Sequence, residues 1–431
     1  MSPPLGRVTA GVGALRSGLR RPALQATATN LGMVALATVS GIVVARGLGP
    51  DGRGHWAAIL AYFALAQVVA EVGQSGAVTY FVSRHPEQLR QIVVRARWLM
   101  LVAGVVLTVA GLVATPLLAD DDPELQWAYA LMFIGVLLNS AFASSVYALQ
   151  AVSIGRWNVV RLAQPLLYSI VITALAAVGM LSLIGVACCL VVSILLQFIV
   201  LALVKGAAAE GHASDEPGIG ARRLLAYGGA YAGAAVPTSV AGQYDKLVLS
   251  RTVPASDLGQ YAVGSTVANL VSPFATAIAS VMFPRASKLG LADGERARLE
   301  TTTLVRTALV SVVVSAGLCL VAPLLVPLLF GRSFSAAVPL VWALALVMVF
   351  RSLSQVAGAF VRARNHPGHA AAAQITGLVS GLLAMGPAIG LWGVFGAPVA
   401  LGLGELVTLT AVALALVMLR RRGTTEGSQH A

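Results

Sequence analysis

Twelve apolar stretches run through this chain, each long enough to cross a lipid bilayer. A transmembrane helix needs about 20 apolar residues, and in lipid its backbone must satisfy its own hydrogen bonds, so these stretches predict helices. The predicted spans are residues 24–45, 55–80, 98–118, 126–149, 158–180, 183–204, 224–249, 260–284, 304–330, 335–361, 370–390 and 393–419. The pattern therefore predicts an all-α polytopic membrane protein with about 12 transmembrane helices.

Composition agrees with this pattern and leaves little room for a soluble catalytic domain. Charged residues make up 11% of the chain and apolar residues 58%, with a mean hydropathy of +0.84. A soluble protein carries roughly a quarter charged residues. The three cysteines, Cys188, Cys189 and Cys319, fall in apolar spans. They are expected to be packing groups rather than disulfide or metal ligands.

Positive charge falls on alternate sides of the predicted spans. With the N-terminus in the cytoplasm, 23 of the 29 Lys and Arg residues lie in cytoplasmic loops or at inner helix ends. Four lie outside, at Arg46, Arg53, Arg251 and Arg332, and two lie within spans. Positive residues stay on the cytoplasmic side during insertion, so this split predicts a multi-pass protein of the cell (inner or plasma) membrane with both termini cytoplasmic. The anionic lipids facing these loops explain the net charge of +12, and no nucleic acid partner is expected.

The spans are predicted to form two six-helix lobes. A polar stretch at residues 205–223 reads as a cytoplasmic linker between lobes at 1–204 and 224–419, with a tail at 420–431. Six spans before and six after give both lobes the same orientation, which is the arrangement of parallel transporter repeats.

A short echo supports a duplication. Residues 46–57 and 251–262 follow the first span of each half, at a constant offset of 205. Arg, Gly and Ala coincide in the two segments, Leu matches Val, and Trp matches Tyr. We therefore predict that the two lobes are internal repeats.

At these residues the chain resembles the Wzx-type polysaccharide flippases. These are the lipid-linked oligosaccharide exporters of the multidrug/oligosaccharidyl-lipid/polysaccharide (MOP) superfamily. Their first hairpin typically reads Ala-Arg-x-Leu-Gly-Pro-Glu-x-x-Gly-x-Tyr-Ala, and residues 45–57 follow it with Asp51 for Glu and Trp56 for Tyr. Asp245-Lys246 before the second turn and Phe283-Pro284-Arg285 at the end of span 8 are also similar to the family.

The resemblance implies a MATE-like, two-lobed transporter with a V-shaped central cavity, which alternates between inward and outward states. Its substrate would be an oligosaccharide on undecaprenyl pyrophosphate, moved from the inner to the outer leaflet for cell-surface or exopolysaccharide biosynthesis. Membrane lipids and a polysaccharide polymerase or ligase are the implied partners. No cofactor and no enzymatic activity are expected.

Cations inside or next to the spans are the candidates for binding the substrate pyrophosphate. Arg351 and Lys246 lie within predicted spans, and Arg46 and Arg251 lie at span ends. A pyrophosphate cannot cross hydrocarbon unneutralised, and arginine offers it bidentate donors. The alternative roles are structural. Arg351 could form an ion pair with Glu71 or Glu405, and the other three cations could extend to lipid headgroups.

Three acids in the spans are candidates for the transport cavity or for coupling to an ion gradient: Glu71, Asp245 and Glu405. Charge within the membrane is costly and is a functional hypothesis by default. Helix-bridging hydrogen bonds are the alternative for each of them. No nucleotide-binding segment is visible, so an ion gradient or the membrane potential is the expected energy source.

Amides within or near the spans are candidate contacts for sugar hydroxyls. These amides are Asn30, Gln67, Gln74 and Gln164. Hydrogen bonding between helices explains each of them equally well.

Several other functions remain open. An ion-coupled multidrug exporter also has 12 spans, and a lipid II flippase of the same superfamily usually carries two more. A membrane glycosyltransferase, polymerase or ligase would use Asp120-Asp121-Asp122 as a metal site. Such enzymes typically need a large external loop, whereas the external loops here are short, so the acidic triplet is predicted to be a solvated turn.

Overall fold

The computed structural model describes residues 6–205, 218–286 and 293–429, and no strand occurs among them. The fourteen α-helices are α1 Gly6–Ala70, α2 Gln74–Arg84, α3 Leu89–Leu118, α4 Pro123–Val152, α5 Ile154–Ala177, α6 Leu183–Lys205, α7 Ala221–Ala241, α8 Tyr244–Thr252, α9 Ala255–Ala268, α10 Ser272–Ala286, α11 Asp293–Phe330, α12 Ala337–Ala363, α13 Pro367–Trp392 and α14 Gly396–Gln429. The all-α class is confirmed. The central part of the predicted linker, 206–217, lies outside the described residues, as do Lys288 and the end of the tail.

Within the described ranges, nine helical runs are long and apolar enough to cross a bilayer. Two of them, Ala28–Ala70 and Pro367–Arg420, each cover two predicted spans, and span 7 is divided between α7 and α8. Both long runs change direction at a glycine with positive φ, Gly49 at 68° and Gly393 at 57°. The helices therefore account for the predicted twelve spans.

Two spans predicted as continuous helices are each interrupted by a short non-helical segment. Span 2, predicted at 55–80, is interrupted at residues 71–73, between the end of α1 and the start of α2. Span 7, predicted at 224–249, is interrupted at Gly242 and Gln243. Continuous helices were the wrong expectation there, because mean hydropathy over a window does not register a local change of backbone direction.

Contacts divide the chain into two units. Unit 1 comprises Met1–Val43 and Phe63–Ala235, and unit 2 comprises Val44–Tyr62 and Val236–Ala431. This division differs from the predicted lobes at two segments. The first is the segment at 44–62, which belongs with unit 2, and the second is the first part of α7, which belongs with unit 1.

Unit 1 is organised around α4, which lies against α2, α3, α5 and α6. One cluster of buried side chains joins α2, α3 and the start of α7 through Phe81, Ile92 and Leu224. A second joins α4, α5 and α6 through Val160, Ile194 and Phe198. The opposite face of α3 exposes Val113 and Leu117 and other apolar side chains, as expected of a surface that faces lipid.

Unit 2 is organised around α12, which lies against α9, α10, α11 and α14, while α13 lies along α14. In the most apolar stretch of α12, 61% of the residues are buried, whereas the corresponding share in α11 is 22%. Leu320 and Leu324 of α11 are exposed. The core of unit 2 joins α8, α9, α12, α13 and α14 and includes Tyr261 and Leu344. Thus α12 is the buried centre of this unit and α11 lies at its edge.

The two copies of the echoed turn contact each other reciprocally within unit 2. A Cβ atom on Gly54 would overlap the carbonyl of Ala255, and a Cβ atom on Gly259 would overlap the carbonyl of Pro50. Both pairs are related by the offset of 205, because Pro50 corresponds to Ala255 and Gly54 to Gly259. A symmetric close approach of this kind is what a duplicated turn packed against its copy produces, and it requires glycine at both positions.

The acidic turn after α3 starts α4. Asp122 is the N-cap, and its Oδ1 accepts hydrogen bonds from the backbone N–H groups of Glu124 at 2.8 Å and Leu125 at 3.3 Å. Asp120 and Asp121 adopt left-handed backbone conformations, which Asp tolerates better than most residues. This geometry agrees with the predicted turn, because Asp122 already uses its carboxylate for capping.

A buried ion-pair cluster ties the ends of three helices in unit 2. Glu300 of α11 is fully buried and accepts a bidentate pair from Arg364, just after α12, at 2.7 and 3.2 Å. Arg420 of α14 donates to the same carboxylate at 2.9 Å. The cluster fixes the N-terminal part of α11 relative to the C-terminal parts of α12 and α14.

Candidate functional site

The break in span 7 contributes to a polar cavity of about 470 Å³ inside unit 2. We call it the unit 2 pocket. Its polar lining comes from the α7–α8 break, the segment before α10, and helices α12, α13 and α14. The polar and charged lining residues are Thr238, Gln243, Tyr244, Lys246, Asn269, Ser272, Arg351, Ser354, Gln355, Gln374, Glu405 and Thr408. Its volume falls within the range typical of small-ligand sites.

Arg351 and Glu405 meet in this pocket across α12 and α14. The Arg351 Nε atom lies 3.4 Å from Glu405 Oε1, with the side chains 38% and 20% exposed. Ser354 donates from Oγ to Glu405 Oε2 at 2.8 Å. Of the two partners considered for Arg351, the structure selects Glu405. The pair is accessible from the pocket, so an anionic ligand could compete with Glu405 for the guanidinium.

Lys246 is the second cation of the pocket. It lies in the first turn of α8, and its Nζ donates to Gln243 Oε1 at 3.3 Å. An ammonium has three donors, so this hydrogen bond leaves further capacity for a ligand. With Lys246, Arg351 and Glu405 as its charged lining residues, the described pocket carries one more cation than anion.

Asp245, next to Lys246 in sequence, is in the core rather than the pocket lining. Its side chain is 7% exposed, and Oδ2 accepts from the hydroxyl of the fully buried Tyr261 at 2.6 Å. The other carboxylate oxygen has no hydrogen-bond partner among the described residues. Successive residues of a helix point about 100° apart, which explains why neighbours in the chain occupy such different surroundings.

Arg46 and Arg251 are not among the residues that line the unit 2 pocket. Arg46 donates from Nε to Leu329 O at 2.7 Å and from a terminal nitrogen to Leu328 O, at the C-terminal end of α11. A cation at the C-terminal end of a helix donates to carbonyls that lack intrahelical partners and interacts favourably with the helix dipole. Arg251 is exposed in the last turn of α8. Neither residue therefore joins Lys246 and Arg351.

A second polar cluster lies in unit 1 at the break of span 2. We call residues 71–73 the span-2 break. The hydroxyl of Tyr147 on α4 donates to Glu71 Oε1, and Ser75 is a second side-chain hydrogen-bond partner of this carboxylate. One turn earlier, Asn139 donates to Gln67 Oε1 at 2.6 Å. Hydroxyl and amide groups thus connect the end of α1 with α4.

The remaining predicted amides of unit 1 are dispersed. Gln74 is fully buried and donates to the carbonyls of Val72 at 3.3 Å and Leu224 at 3.4 Å. Asn30 is exposed and accepts from Arg161 at 3.3 Å, and Gln164 is half-buried on α5. Gln74 therefore has a helix-bridging contact, and sugar contacts by these amides stay a prediction.

Sequence reasoning missed several residues that contact the predicted ones or line the pocket with them. Tyr147 and Tyr261, which hold Glu71 and Asp245, carry no sequence signal because tyrosine is common in apolar helices. Gln374, from α13, was also missed. Only the packing of α13 beside α14 brings it to the pocket.

Comparisons with known proteins agree with this architecture. A profile of the polysaccharide biosynthesis protein family matches residues 43–339, which include Lys246 but not Arg351 or Glu405. No curated protein matches the chain. Among solved structures, the chain is similar to an inward-facing multidrug resistance MATE family transporter of the MOP superfamily. The TM-score is 0.74 at 15% identity, over 93% of this chain and 96% of that one.

Two further structures share the fold. The lipid II flippase MurJ, in an inward closed conformation, gives a TM-score of 0.73 at 12% identity, over 92% of this chain and 89% of that one. A eukaryotic MATE transporter gives 0.57 at 13% identity, over 95% and 99%. Identities this low show a shared fold alone. The family match, which covers more than half of the chain, establishes that this multi-pass membrane chain belongs to the polysaccharide biosynthesis protein family, as the sequence resemblance predicted.

Proposed function

We propose that this protein flips a polyprenyl-pyrophosphate-linked oligosaccharide from the inner to the outer leaflet of the cell membrane. The observation that carries the proposal is the unit 2 pocket, where Arg351 and Lys246 line one cavity inside membrane spans. Family membership supports a role in polysaccharide biosynthesis. The undecaprenyl carrier, the polymerase or ligase partner and the cytoplasmic position of both termini are parts of the same proposal.

The chemistry of the pocket suits a pyrophosphate. Moving an uncompensated charge into the membrane costs at least a few kcal/mol, so a flippase must neutralise its substrate. In the proposed cycle the pyrophosphate displaces Glu405 from Arg351 and also receives donors from Lys246. Hydrogen bonds to charged groups contribute about 1.5–3 kcal/mol each, so two such contacts give the headgroup a defined position.

Amide and hydroxyl groups around the cations suit the attached sugar. Gln243, Gln355 and Gln374 line the same cavity, and amide side chains both donate and accept hydrogen bonds. A sugar hydroxyl needs both kinds of partner. In this proposal the polyprenyl tail stays in the lipid, and rocking of the two lobes exposes the headgroup outside.

The test is headgroup translocation in proteoliposomes that contain a short-chain polyprenyl-pyrophosphate oligosaccharide. Arg351→Ala and Lys246→Ala are each expected to lower the initial rate at least tenfold, which corresponds to about 1.4 kcal/mol or more. Arg332→Ala is the matched control, because this exposed arginine does not line the pocket. Normal transport by both pocket variants would contradict the proposed anion site.

The same preparation separates the alternative functions. Lipid II and fluorescent organic cations are offered in parallel with the oligosaccharide. Transport of lipid II alone would identify a lipid II flippase. Export of organic cations without any glycan transport would identify a multidrug exporter, in which Glu405 rather than Arg351 would be the principal residue of the pocket.

A further inference from the structure

We propose that Glu71, at the span-2 break, is a proton-exchange site whose carboxylate takes up and releases one proton during each transport cycle. Tyr147 and Ser75 are the hydrogen-bond partners that hold both forms of the side chain. The role in coupling rests on the proposed transport function. The exchange of a proton at this carboxylate does not, and it is measured separately below.

The first support is the backbone at the break. Val72 has φ of 48° and Gly73 has φ of 66°. A β-branched residue with positive φ is a genuine outlier, and it persists only where the surroundings hold it. The N–H of Glu71 closes the last turn of α1 on Gln67 O at 3.0 Å, and its carbonyl accepts from Gln74 N at 2.8 Å at the start of α2. Glu71 is therefore the joint between the two halves of a membrane span.

The second support is the chemistry of the partners. The Tyr147 and Ser75 hydroxyls can donate to an ionised carboxylate, and they can accept from a protonated one. A cationic partner would strongly favour the ionised form only. Because both partners are neutral hydroxyls, the cluster is satisfied in either protonation state.

The charged and titratable groups near the cluster come from α3, α4, α5 and α7. Tyr147 comes from α4 and Tyr231 from α7, where its ring packs against Gly76. Arg161 of α5 interacts electrostatically with Tyr147, lies 4.2 Å over the Trp157 ring and donates to Asn30. Arg97 of α3 donates to Ser145 at 3.1 Å. In the part of the chain that the structure describes, no Lys or Arg pairs with Glu71, so a proton is the simplest compensation for its charge.

Further polar capacity surrounds the cluster. Ser144, on α4 three residues before Tyr147, is fully buried, and its hydroxyl has no partner among the described residues. Gln74 Oε1, at the start of α2, is also buried without a partner there. Residues three apart on a helix share a face, so Ser144 and Tyr147 form one polar strip on α4. Such groups provide acceptors for a proton that moves through the cluster.

The joint also touches a second helix. A Cβ atom on Gly73 would overlap the carbonyl of Gly228 on α7, so the break lies directly against that helix. A change of charge at Glu71 therefore occurs at the contact between α2 and α7 within unit 1. Protonation at a contact between two helices can bias a larger conformational change.

The direct test is infrared difference spectroscopy of the full chain in lipid bilayers, titrated from acid to alkaline pH without any glycan. The native protein is expected to show a carboxylic C=O band at acid pH that disappears at alkaline pH. Glu71→Gln should remove this band, whereas Glu87→Gln, a matched change at an exposed acid of the same unit, should keep it. Tyr147→Phe should shift the band to higher frequency, because the carbonyl loses a hydrogen bond.

The coupling test uses the translocation assay with an imposed pH gradient or an imposed sodium gradient. The rate of native transport is expected to increase with the imposed pH gradient. In Glu71→Gln this stimulation of the rate should be at least tenfold smaller, while the variant still binds inorganic pyrophosphate. A band that survives in Glu71→Gln, or transport that follows sodium alone, overturns the proposal. If the band titrates as expected but no glycan moves, the proton site stands and the proposed substrate is wrong.

Discussion

The two polar clusters of this protein both hold a glutamate within a membrane span, but with opposite kinds of partner. In unit 1, Glu71 is held by the neutral hydroxyls of Tyr147 and Ser75. In unit 2, Glu405 is held by the cation Arg351 and by Ser354. Removing the charge of Glu71 therefore leaves no described cation unpaired, whereas removing the charge of Glu405 leaves Arg351 without its counterion.

This difference suggests a division of tasks. An acid with neutral partners can change its charge during a cycle at low cost, which suits proton exchange. An acid paired with an arginine stays ionised until another anion takes its place, which suits a site where a pyrophosphate replaces it. A single feature of the sequence, a glutamate in an apolar helix, thus has two meanings that depend on its neighbours.

The largest expected effect concerns the joint that carries Glu71. Gly73→Ala should lower the free energy of unfolding by about 2–4 kcal/mol, for two reasons. Alanine is strained in the left-handed backbone conformation of this position, and its Cβ atom would overlap the carbonyl of Gly228. Gly229→Ala is the control, since a Cβ atom there meets open space. Unfolding of the purified protein in detergent, followed by circular dichroism, measures both. Equal loss in the two variants would show that the break is not a rigid joint.

A smaller effect is expected from the pair in unit 2. A double-mutant cycle with Glu405→Gln and Arg351→Met should give a coupling of about 1–2 kcal/mol, reduced from the value for a fully buried pair because Arg351 is partly exposed. The cycle is measured by the same unfolding assay. Replacing Glu405→Gln with Glu295→Gln, an exposed acid of the same unit, should give additive effects. Additivity in both cycles would mean that the ion pair does not distinguish the two clusters.

The next effect concerns the ligand rather than stability. Lys246→Ala should weaken binding of inorganic pyrophosphate about tenfold, or about 1.4 kcal/mol, because one charge-assisted contact is lost. Lys246→Arg should restore most of the affinity. Isothermal titration calorimetry measures both variants. If Glu71→Gln weakened pyrophosphate binding as much as Lys246→Ala does, the proposed division of tasks would be wrong.

The smallest effect is expected at Glu71 itself. Glu71→Gln should change the free energy of unfolding by less than about 0.5 kcal/mol, because the amide carbonyl still accepts from Tyr147. Tyr147→Phe should cost about 1 kcal/mol, the usual contribution of one hydrogen bond. Loss of several kcal/mol in Glu71→Gln would show that the ionised carboxylate is needed for folding, which contradicts a site that exchanges protons.

Much of the fold could be predicted because the bilayer restricts it. Twelve apolar stretches must form helices, since lipid offers no partner to an open backbone, and the described helices account for these spans. The echo at an offset of 205 also had a structural meaning, because Gly54 and Gly259 meet reciprocally. The breaks at residues 71–73 and 242–243 were not predicted, because they change backbone direction without changing hydropathy.

The candidate site was predicted only in part. Intramembrane charge singled out Arg351, Lys246 and Glu405, and the structure brings these three into one pocket. Arg46, which was a candidate because it lies at the end of a span, instead donates to the carbonyls at the end of α11. Position in a span and charge do not distinguish a ligand-binding arginine from a helix cap, because that distinction depends on a partner far away in the sequence.

The sequence by itself determined that the chain lies in a bilayer and how many spans it has, because insertion into lipid depends on hydropathy and loop charge. It also carried the resemblance to the family and the few charged residues within or next to the spans. Only the tertiary structure decided which charges meet. Arg351 and Glu405 are 54 positions apart and lie on different helices, yet they form a pair. Tyr147 and Glu71 are 76 positions apart and share a hydrogen bond. The packing of helices against one another sets these partners, and the partner of each acid determines whether it holds a cation or a proton.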